Sequence, residues 1–394
     1  MAQSPSFADF QLGIYQRGLA GQKPELPLQI DELEALAKSK MSPEGYGYIA
    51  GGAGSEISMD TNRRAFDRWQ ILPRVMRNVA ERDLSVELFG SKLPAPLVMA
   101  PIGVQSLAHP EGELEVGRAA AQLQLPFCYS SAATQSPEDV AVAAGDCPKW
   151  FQLYWPKDRD ITRSFVQRAE AAGYTAVVVT LDTRMLAWRE RDLNQAFLPF
   201  LKGEGIGLYL SDPVFRSQLE KPPEEDMVAA IMAWAGGFSD LSHTWEDLAW
   251  LKENTSLPII LKGILHPDDA KLGLEHGADG ILVSNHGGRQ VDGSIGALDA
   301  LPGVVEVVQG QVPVLFDSGI RRGADVFKAL ALGAKAVLVG RPYMWGLAVE
   351  GANGIQEVMQ RILADFDITM TLCGCKDLSE VTREMLVPAS GIRE

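Results

Sequence analysis

His286 stands in the run Ser284-Asn285-His286-Gly287-Gly288-Arg289-Gln290. An imidazole titrates near neutrality, so it suits the removal of a proton from a bound substrate. Arg289, three residues on, carries a planar fork that matches a carboxylate. Asp182 ends the apolar run that starts at Thr175 and is a candidate to hydrogen-bond the other ring nitrogen, favouring the imidazolium. Lys262, near the end of Pro258–Gly263, is either a Schiff-base former or a cation facing a developing anion, and spacing alone does not choose. His109, His243, His266 and His276 fall in loops or at helix ends and read as capping, surface or structural residues. A lone histidine at a strand end is more often structural. Together with Asp182 and Arg289, His286 points to proton transfer on an anionic substrate.

A second constellation lies further on. Asp317-Ser318-Gly319-Ile320-Arg321-Arg322-Gly323 leads into a helical stretch, and Gly340-Arg341-Pro342 closes another apolar run. Glycines let backbone N–H groups approach a phosphate, and a helix start adds positive potential. Arg321 and Arg341 add charge-assisted hydrogen bonds. Either glycine alone reads as a turn residue; the pair with its arginines reads as a phosphate cradle.

These residues need a scaffold that gathers distant chain segments on one rim. Eight short apolar runs supply it, starting at Ala95, Pro126, Lys149, Thr175, Pro258, Gly280, Val312 and Ala336. Each is nearly continuous in apolar character, as in a parallel sheet covered on both faces. Helical patterns alternate with them: Glu111–Gln124, Pro137–Ala144, Arg159–Ala172, Trp245–Asn254, Pro267–His276, Leu298–Gln309, Gly323–Leu332 and Gly354–Phe366. The fold class predicted is α/β, a (β/α)8 TIM barrel over residues 95–394, in which phosphate sites follow strands seven and eight. Residues 1–94 read as a helical segment, with helices over Phe7–Ala20, Asp31–Lys40 and Pro43–Gly51. Residues 183–244 form a long insertion after strand four, a lid or an oligomer contact.

Composition narrows the function. The chain of 394 residues has 36 basic and 51 acidic residues, a net charge of −15. Such a surface disfavours nucleic acid and anionic membranes, so an anionic substrate must be drawn in by a local arginine cluster. Cys128, Cys147, Cys373 and Cys375 make neither a disulfide framework nor a completed metal site; no metal is expected. No signal-peptide pattern opens the chain and no apolar run is long enough to span a membrane, so a cytoplasmic protein is expected.

The runs SNHGGRQ, LFDSGIRRGADVFKALALGA and VGRP resemble the FMN-dependent 2-hydroxyacid oxidase family, as do GYIAGGAG at Tyr48, APIG, AHPEGE and FQLY. The resemblance extends from about Ile30 to Pro388 and is strongest to the lactate 2-monooxygenase branch, which TLDT with WRERD, SDPVF, TWEDL and ILKGILHPDDA also follow. It implies FMN resting on Pro101-Ile102-Gly103. Ser130, Gln152 and Thr180 would bond the flavin ring, with Ser284 also in contact. Lys262 would face the edge that gathers negative charge, which favours its electrostatic role. Asp317 would hold the ribityl chain, and Ser318, Gly319, Arg321, Gly340 and Arg341 the phosphate. The substrate would lie between the flavin and His286, its carboxylate clamped by Arg189 and Arg289 and its oxygens met by Tyr48 and Tyr154. His286 takes the hydroxyl proton as hydride leaves; a carbanion route is the alternative.

Within the resemblance, Gly103 accompanies retention of the keto product, where related oxidases carry alanine. The activity implied is oxidation of L-lactate by O2 with decarboxylation of pyruvate to acetate, CO2 and water. The alternatives are an oxidase releasing the 2-keto acid and H2O2, and a non-catalytic barrel that binds a phosphate ligand. Thr183–Trp188 departs from the branch's bulkier aromatics, and Ala132 replaces a tryptophan of plant-type oxidases, which is expected to leave room near the substrate. A homotetramer or homo-octamer is implied.

Overall fold

The computed structural model describes residues 6–238 and 240–389. Eight parallel strands close into a barrel: β1 (Leu97–Met99), β2 (Phe127–Ser130), β3 (Lys149–Tyr154), β4 (Ala176–Thr180), β5 (Ile259–Ile264), β6 (Gly280–Val283), β7 (Val314–Phe316) and β8 (Ala336–Val339). They coincide with the eight apolar runs. Closure comes from β8 on β1, with Val337 opposite Leu97 and Val339 opposite Met99. Alternate side chains such as Val98, Trp150, Val178, Ile260 and Leu338 fill the barrel's interior, while the others meet the helices outside. This double burial is why the runs are continuously apolar.

The helices between strands fall within a few residues of their expected ranges, from Gly112–Leu123 to Gly323–Ala331. The expected Gly354–Phe366 helix is part of a longer one, Arg341–Leu372, interrupted where Gly351 turns to φ +56°.

Residues before the barrel are less uniformly helical than the sequence suggests. Helices Asp9–Leu19, Ile30–Lys40 and Pro43–Ala50 lie where expected, and a fourth covers Ile57–Asp67. Three short strands accompany them. Trp69–Ile71 pairs antiparallel with Leu386–Pro388, tying the two ends of the chain together. Val86–Leu88 and Ser91–Leu93 form a hairpin that packs on the barrel's interior residues, with Phe89 edge-on to Trp150 at 5.5 Å. The hairpin thereby plugs the N-terminal end and leaves the C-terminal rim for chemistry.

The excursion after β4 folds into short helical pieces: Glu190–Asn194, Pro199–Lys202, Gly207–Leu210, Pro213–Ser217 and Met227–Gly237. No helix among the described residues is long and apolar enough to cross a membrane.

Candidate active site

After β6 the chain makes a tight turn in which His286, Gly287 and Gly288 all have positive φ, at +58°, +64° and +76°. Only glycine adopts such angles freely, so the pair of glycines makes the turn affordable and lets His286 stand off the strand end. Asn285 caps the turn by accepting from Gly288 N at 3.1 Å, and Ser318 Oγ accepts from Gly287 N at 3.0 Å. The imidazole then lies with Nδ1 2.8 Å from Asp182 Oδ1 and Nε2 3.3 Å from the Tyr154 hydroxyl. A carboxylate on Nδ1 selects the tautomer protonated there, so Nε2 faces the cavity as an acceptor. Burial and the nearby Lys262 ammonium lower the His286 pKa, against an upward pull from Asp182. Burial would raise Asp182, but His286 and Lys262 outweigh it and bring the carboxyl to about 2. The pair therefore rests as a neutral imidazole beside a carboxylate.

Thr183 bridges the pair, its hydroxyl 3.0 Å from Asp182 Oδ1 and 3.3 Å from His286 Nδ1. Gln290 donates to Asp182 O at 2.9 Å and accepts from Arg189 Nη2 at 3.0 Å. Neither residue was singled out from the sequence, although Gln290 ends the His286 run and Thr183 follows Asp182. Their neighbours were the only signal.

Arg289 lies over the Tyr48 ring at 5.1 Å and donates to the carbonyls of Tyr48 and Gly51, both at 2.6 Å. Helix Pro43–Ala50 places Tyr48 there. Its start is set by Pro43 and by Ser42, whose side chain accepts from Gly45 N. Arg189 donates to Arg289 O at 3.2 Å. Burial and the like charge of Arg189 lower the Arg289 pKa to about 10.

Arg341 donates to the carbonyls of Gly287 at 3.0 Å, Gly51 at 2.9 Å and Ile49 at 3.3 Å. Arg321 donates to Ile320 O at 3.0 Å. No carboxylate is among these partners. Burial and Arg63 lower the Arg321 pKa to about 10; burial, Arg289 and Arg321 lower that of Arg341 further. Half-buried guanidinium groups that bond carbonyls and the Met59 sulfur but no carboxylate are suited to meeting an anion.

One cavity joins the two constellations. Pro101, Ile102, Gly103, Lys262, Asp317, Ser318, Gly319, Gly340, Arg321 and Arg341 line it, as do Tyr48, Tyr154, Arg189, His286 and Arg289. Ile49, Ala100, Gly287, Ile320 and Leu338 complete the lining and were not anticipated. Asp182 stands behind His286. Ser130, Gln152 and Thr180 form a hydrogen-bonded row across β2, β3 and β4, with Gln152 bonded to Ser130 at 3.0 Å and to Thr180 at 2.8 Å. Lys262 Nζ donates to Ser284 Oγ at 3.2 Å and lies 3.7 Å from Asp317 Oδ2. Ala132 packs against Gly103, where a Cβ would stand 2.5 Å from Ala132 Cβ and 2.6 Å from its carbonyl oxygen, so the missing side chain at 103 makes room for Ala132.

The barrel brings the glycines and arginines that follow its seventh and eighth strands into one cavity with His286, which Asp182 bonds, an arrangement suited to an enzyme that holds a phosphate-bearing cofactor. The family described as FMN-dependent dehydrogenase matches residues 37–388, and the chain belongs to it. The chain is 45% identical over 385 residues to the FMN-dependent alpha-hydroxy acid dehydrogenase qulF of Penicillium citrinum, covering 97% of this chain and 96% of that one. It is 44% identical over 379 residues to an L-lactate oxidase of Lysinibacillus sphaericus, covering 95% and 96%. Among solved structures it is similar to mandelate oxidase, with TM-score 0.82, 35% identity and coverage of 93% and 100%. The protein is thus an FMN-dependent oxidoreductase of 2-hydroxy acids, and the non-catalytic alternative falls away. The residues present fit FMN: Arg321 and Arg341, whose guanidinium groups bond no carboxylate, stand with Gly319 and Gly340 beyond the ends of β7 and β8 in the lining of one cavity.

Proposed function

We propose that the protein oxidises a small (S)-2-hydroxy acid of the size of L-lactate with O2, and that the keto acid is decarboxylated before it leaves, giving acetate, CO2 and water. The observation that carries the first half is the His286–Asp182 pair beside Arg189 and Arg289, which line the same cavity as His286. FMN, when bound, supplies the electron sink. Arg189 and Arg289 hold the substrate carboxylate, and the hydroxyls of Tyr48 and Tyr154 meet its oxygens. His286 Nε2 accepts the hydroxyl proton, and Asp182 stabilises the imidazolium through Nδ1. Lys262 presents its ammonium where negative charge gathers during reduction. Pro101–Gly103, Ser130, Gln152, Thr180 and Ser284 border the flavin, while Asp317 takes the ribityl chain. Ser318, Gly319, Arg321, Gly340 and Arg341 take the phosphate.

Retention of the keto acid is supported by the excursion. Phe200, Trp234 and Phe238 pack on one another, with Phe200–Trp234 at 4.9 Å and Trp234–Phe238 at 5.1 Å. Phe200 also meets Tyr48 at 6.3 Å and Phe238 meets Tyr154 at 5.6 Å. This aromatic wedge packs against the rings of both tyrosines. A second reading, an oxidase releasing the keto acid and H2O2, is favoured by the packing of Gly103 against Ala132, which accounts for that glycine without any role in retention. The two separate on one measurement: acetate and H2O2 formed per O2 consumed with L-lactate. Stoichiometric peroxide leaves the oxidase reading standing alone. The resemblance also supports a homotetramer or homo-octamer, which light scattering reads directly, and buried free cysteines are in keeping with a reducing cytoplasm.

A further inference from the structure

Glu113 closes the run Ala108-His109-Pro110-Glu111-Gly112-Glu113, which none of the steps above uses. It lies in the first turn of helix Gly112–Leu123 and is 2% exposed. Its carboxylate meets three backbone N–H groups. Oε1 accepts from Gln105 at 3.3 Å and Thr134 at 3.4 Å, and Oε2 accepts from Gln135 at 3.4 Å. Gln105 belongs to the loop after β1, which begins with Pro101–Gly103. Thr134 and Gln135 belong to the loop after β2, which begins beside Ser130.

The same two loops hold the excursion. Ser106 Oγ and Thr134 Oγ1 are 2.9 Å apart, and Ser106 donates to Glu204 Oε2 at 2.5 Å. Gly205 N donates to Thr134 Oγ1 at 3.0 Å, and Gly207 N donates to Ala133 O at 2.8 Å. A Cβ on Gly207 would run into the Thr134 carbonyl, and one on Gly205 into Val104, so both glycines allow the excursion's backbone to seat on these loops. The two loops therefore share one buried carboxylate, and the excursion is seated on both of them.

The titratable groups facing it are the phenols of Tyr129, Tyr174 and Tyr343. Burial pushes the Glu113 carboxyl up to about 7, and its N–H donors offset this only in part. An ionised group there costs stability at neutral pH. What it contributes is the shared position of three N–H groups from two loops.

We propose that Glu113 is a positioning residue that sets the flavin-side wall and, through Ser106 and Thr134, the seating of the excursion over it. The inference rests on the assignment of Pro101–Gly103 and Ser130 to the cofactor wall. Its test uses the full chain stripped of FMN and titrated with FMN, the visible spectrum of the bound cofactor, and trypsin cleavage at excursion sites such as Lys202 and Arg216. Glu113→Gln keeps the size and removes the buried charge, but faces an N–H with an amide. We expect it to weaken FMN binding by about 10-fold, the worth of a buried hydrogen bond. It also alters the spectrum of the bound fraction and speeds cleavage of the excursion. A merely structural role would lower the melting temperature and leave that spectrum unchanged. Ser106→Ala, which removes the hydroxyl's bonds to Glu204 and Thr134 but leaves Glu113 and its three N–H donors in place, speeds cleavage and leaves FMN affinity unchanged. Wild-type affinity, spectrum and cleavage rate in folded Glu113→Gln overturn the proposal. If Glu113→Gln does not fold, an unchanged cleavage rate in Ser106→Ala overturns the coupling to the excursion. Failure of the wild-type chain to bind FMN would instead strike the wall assignment itself.

Discussion

At His286 the contest between burial and charge decides when the base is ready. Burial and Lys262 lower the imidazole's pKa from 6.5, and Asp182 recovers part of the loss. Above that lowered value Nε2 is free to accept a proton, so kcat/KM falls as pH drops through a value below 6.5. Asp182→Asn removes the upward pull, and its acidic limb is expected at still lower pH with a reduced plateau; a limb displaced upward contradicts the assignment. His286→Ala is expected to retain FMN yet slow its anaerobic reduction by ~10²–10⁴-fold, the usual worth of a general base. Unchanged reduction removes His286 from the mechanism. His286, Asp182 and Arg289 were legible because a polar residue closing an apolar strand is conspicuous. Thr183 and Gln290 were not, because a hydroxyl or amide acquires its role only from the partner that three-dimensional proximity brings to it.

At the level of elements, the strand ends and the excursion differ in how they declare themselves. β7 and β8 deliver Arg321 and Arg341 to one cradle, and this was readable because glycine, arginine and helix start recur together. Arg341→Met should weaken FMN binding by ~10–150-fold, from the ~1.5–3 kcal/mol of a charged hydrogen bond. The variant also takes a donor from the carbonyls of Gly287, Ile49 and Gly51, of which Gly51 keeps Arg289, so lower stability alone says little. The diagnostic is inorganic phosphate, which should raise the melting temperature of the FMN-free wild-type chain and fail to do so in Arg341→Met. An equal rise in both places the phosphate elsewhere. The excursion was visible only as excess length, since its short helices lack a sustained period and its aromatic wedge joins Phe200 to Trp234 across a long separation. The hairpin Val86–Leu88/Ser91–Leu93 escaped notice for a related reason: three-residue strands carry too little alternation to register. Helix Ile57–Asp67 was hidden by its polar side chains, of which Ser58 and Asn62 are buried in hydrogen bonds to Ser294 and Asn285. Trp234→Leu opens the wedge, and the fraction of O2 recovered as H2O2 with L-lactate is expected to rise; an unchanged product ratio would detach the wedge from product retention.

For the molecule as a whole, a net charge of −15 surrounds a cavity that must admit an anion. The reach of that charge depends on ionic strength. The Debye length is about 30 Å at 0.01 M and about 8 Å at 0.15 M. In dilute buffer the acidic exterior is felt at the rim and opposes Arg189 and Arg289. Near physiological salt only charges within a few ångströms count, and there the arginines prevail. Substrate capture by the holoenzyme is therefore expected to strengthen as salt rises from 0.01 to 0.15 M, read as kcat/KM for L-lactate. A rise is the signature of screened repulsion, because competition by salt anions for the two arginines acts in the opposite direction. The uncharged amide of the same hydroxy acid, bound as an inhibitor, gives the control: its affinity should be flat across that range. A kcat/KM that falls with salt would mean that attraction by the arginines, or competition of salt anions for them, outweighs the exterior's repulsion, and the acidic surface would not govern access.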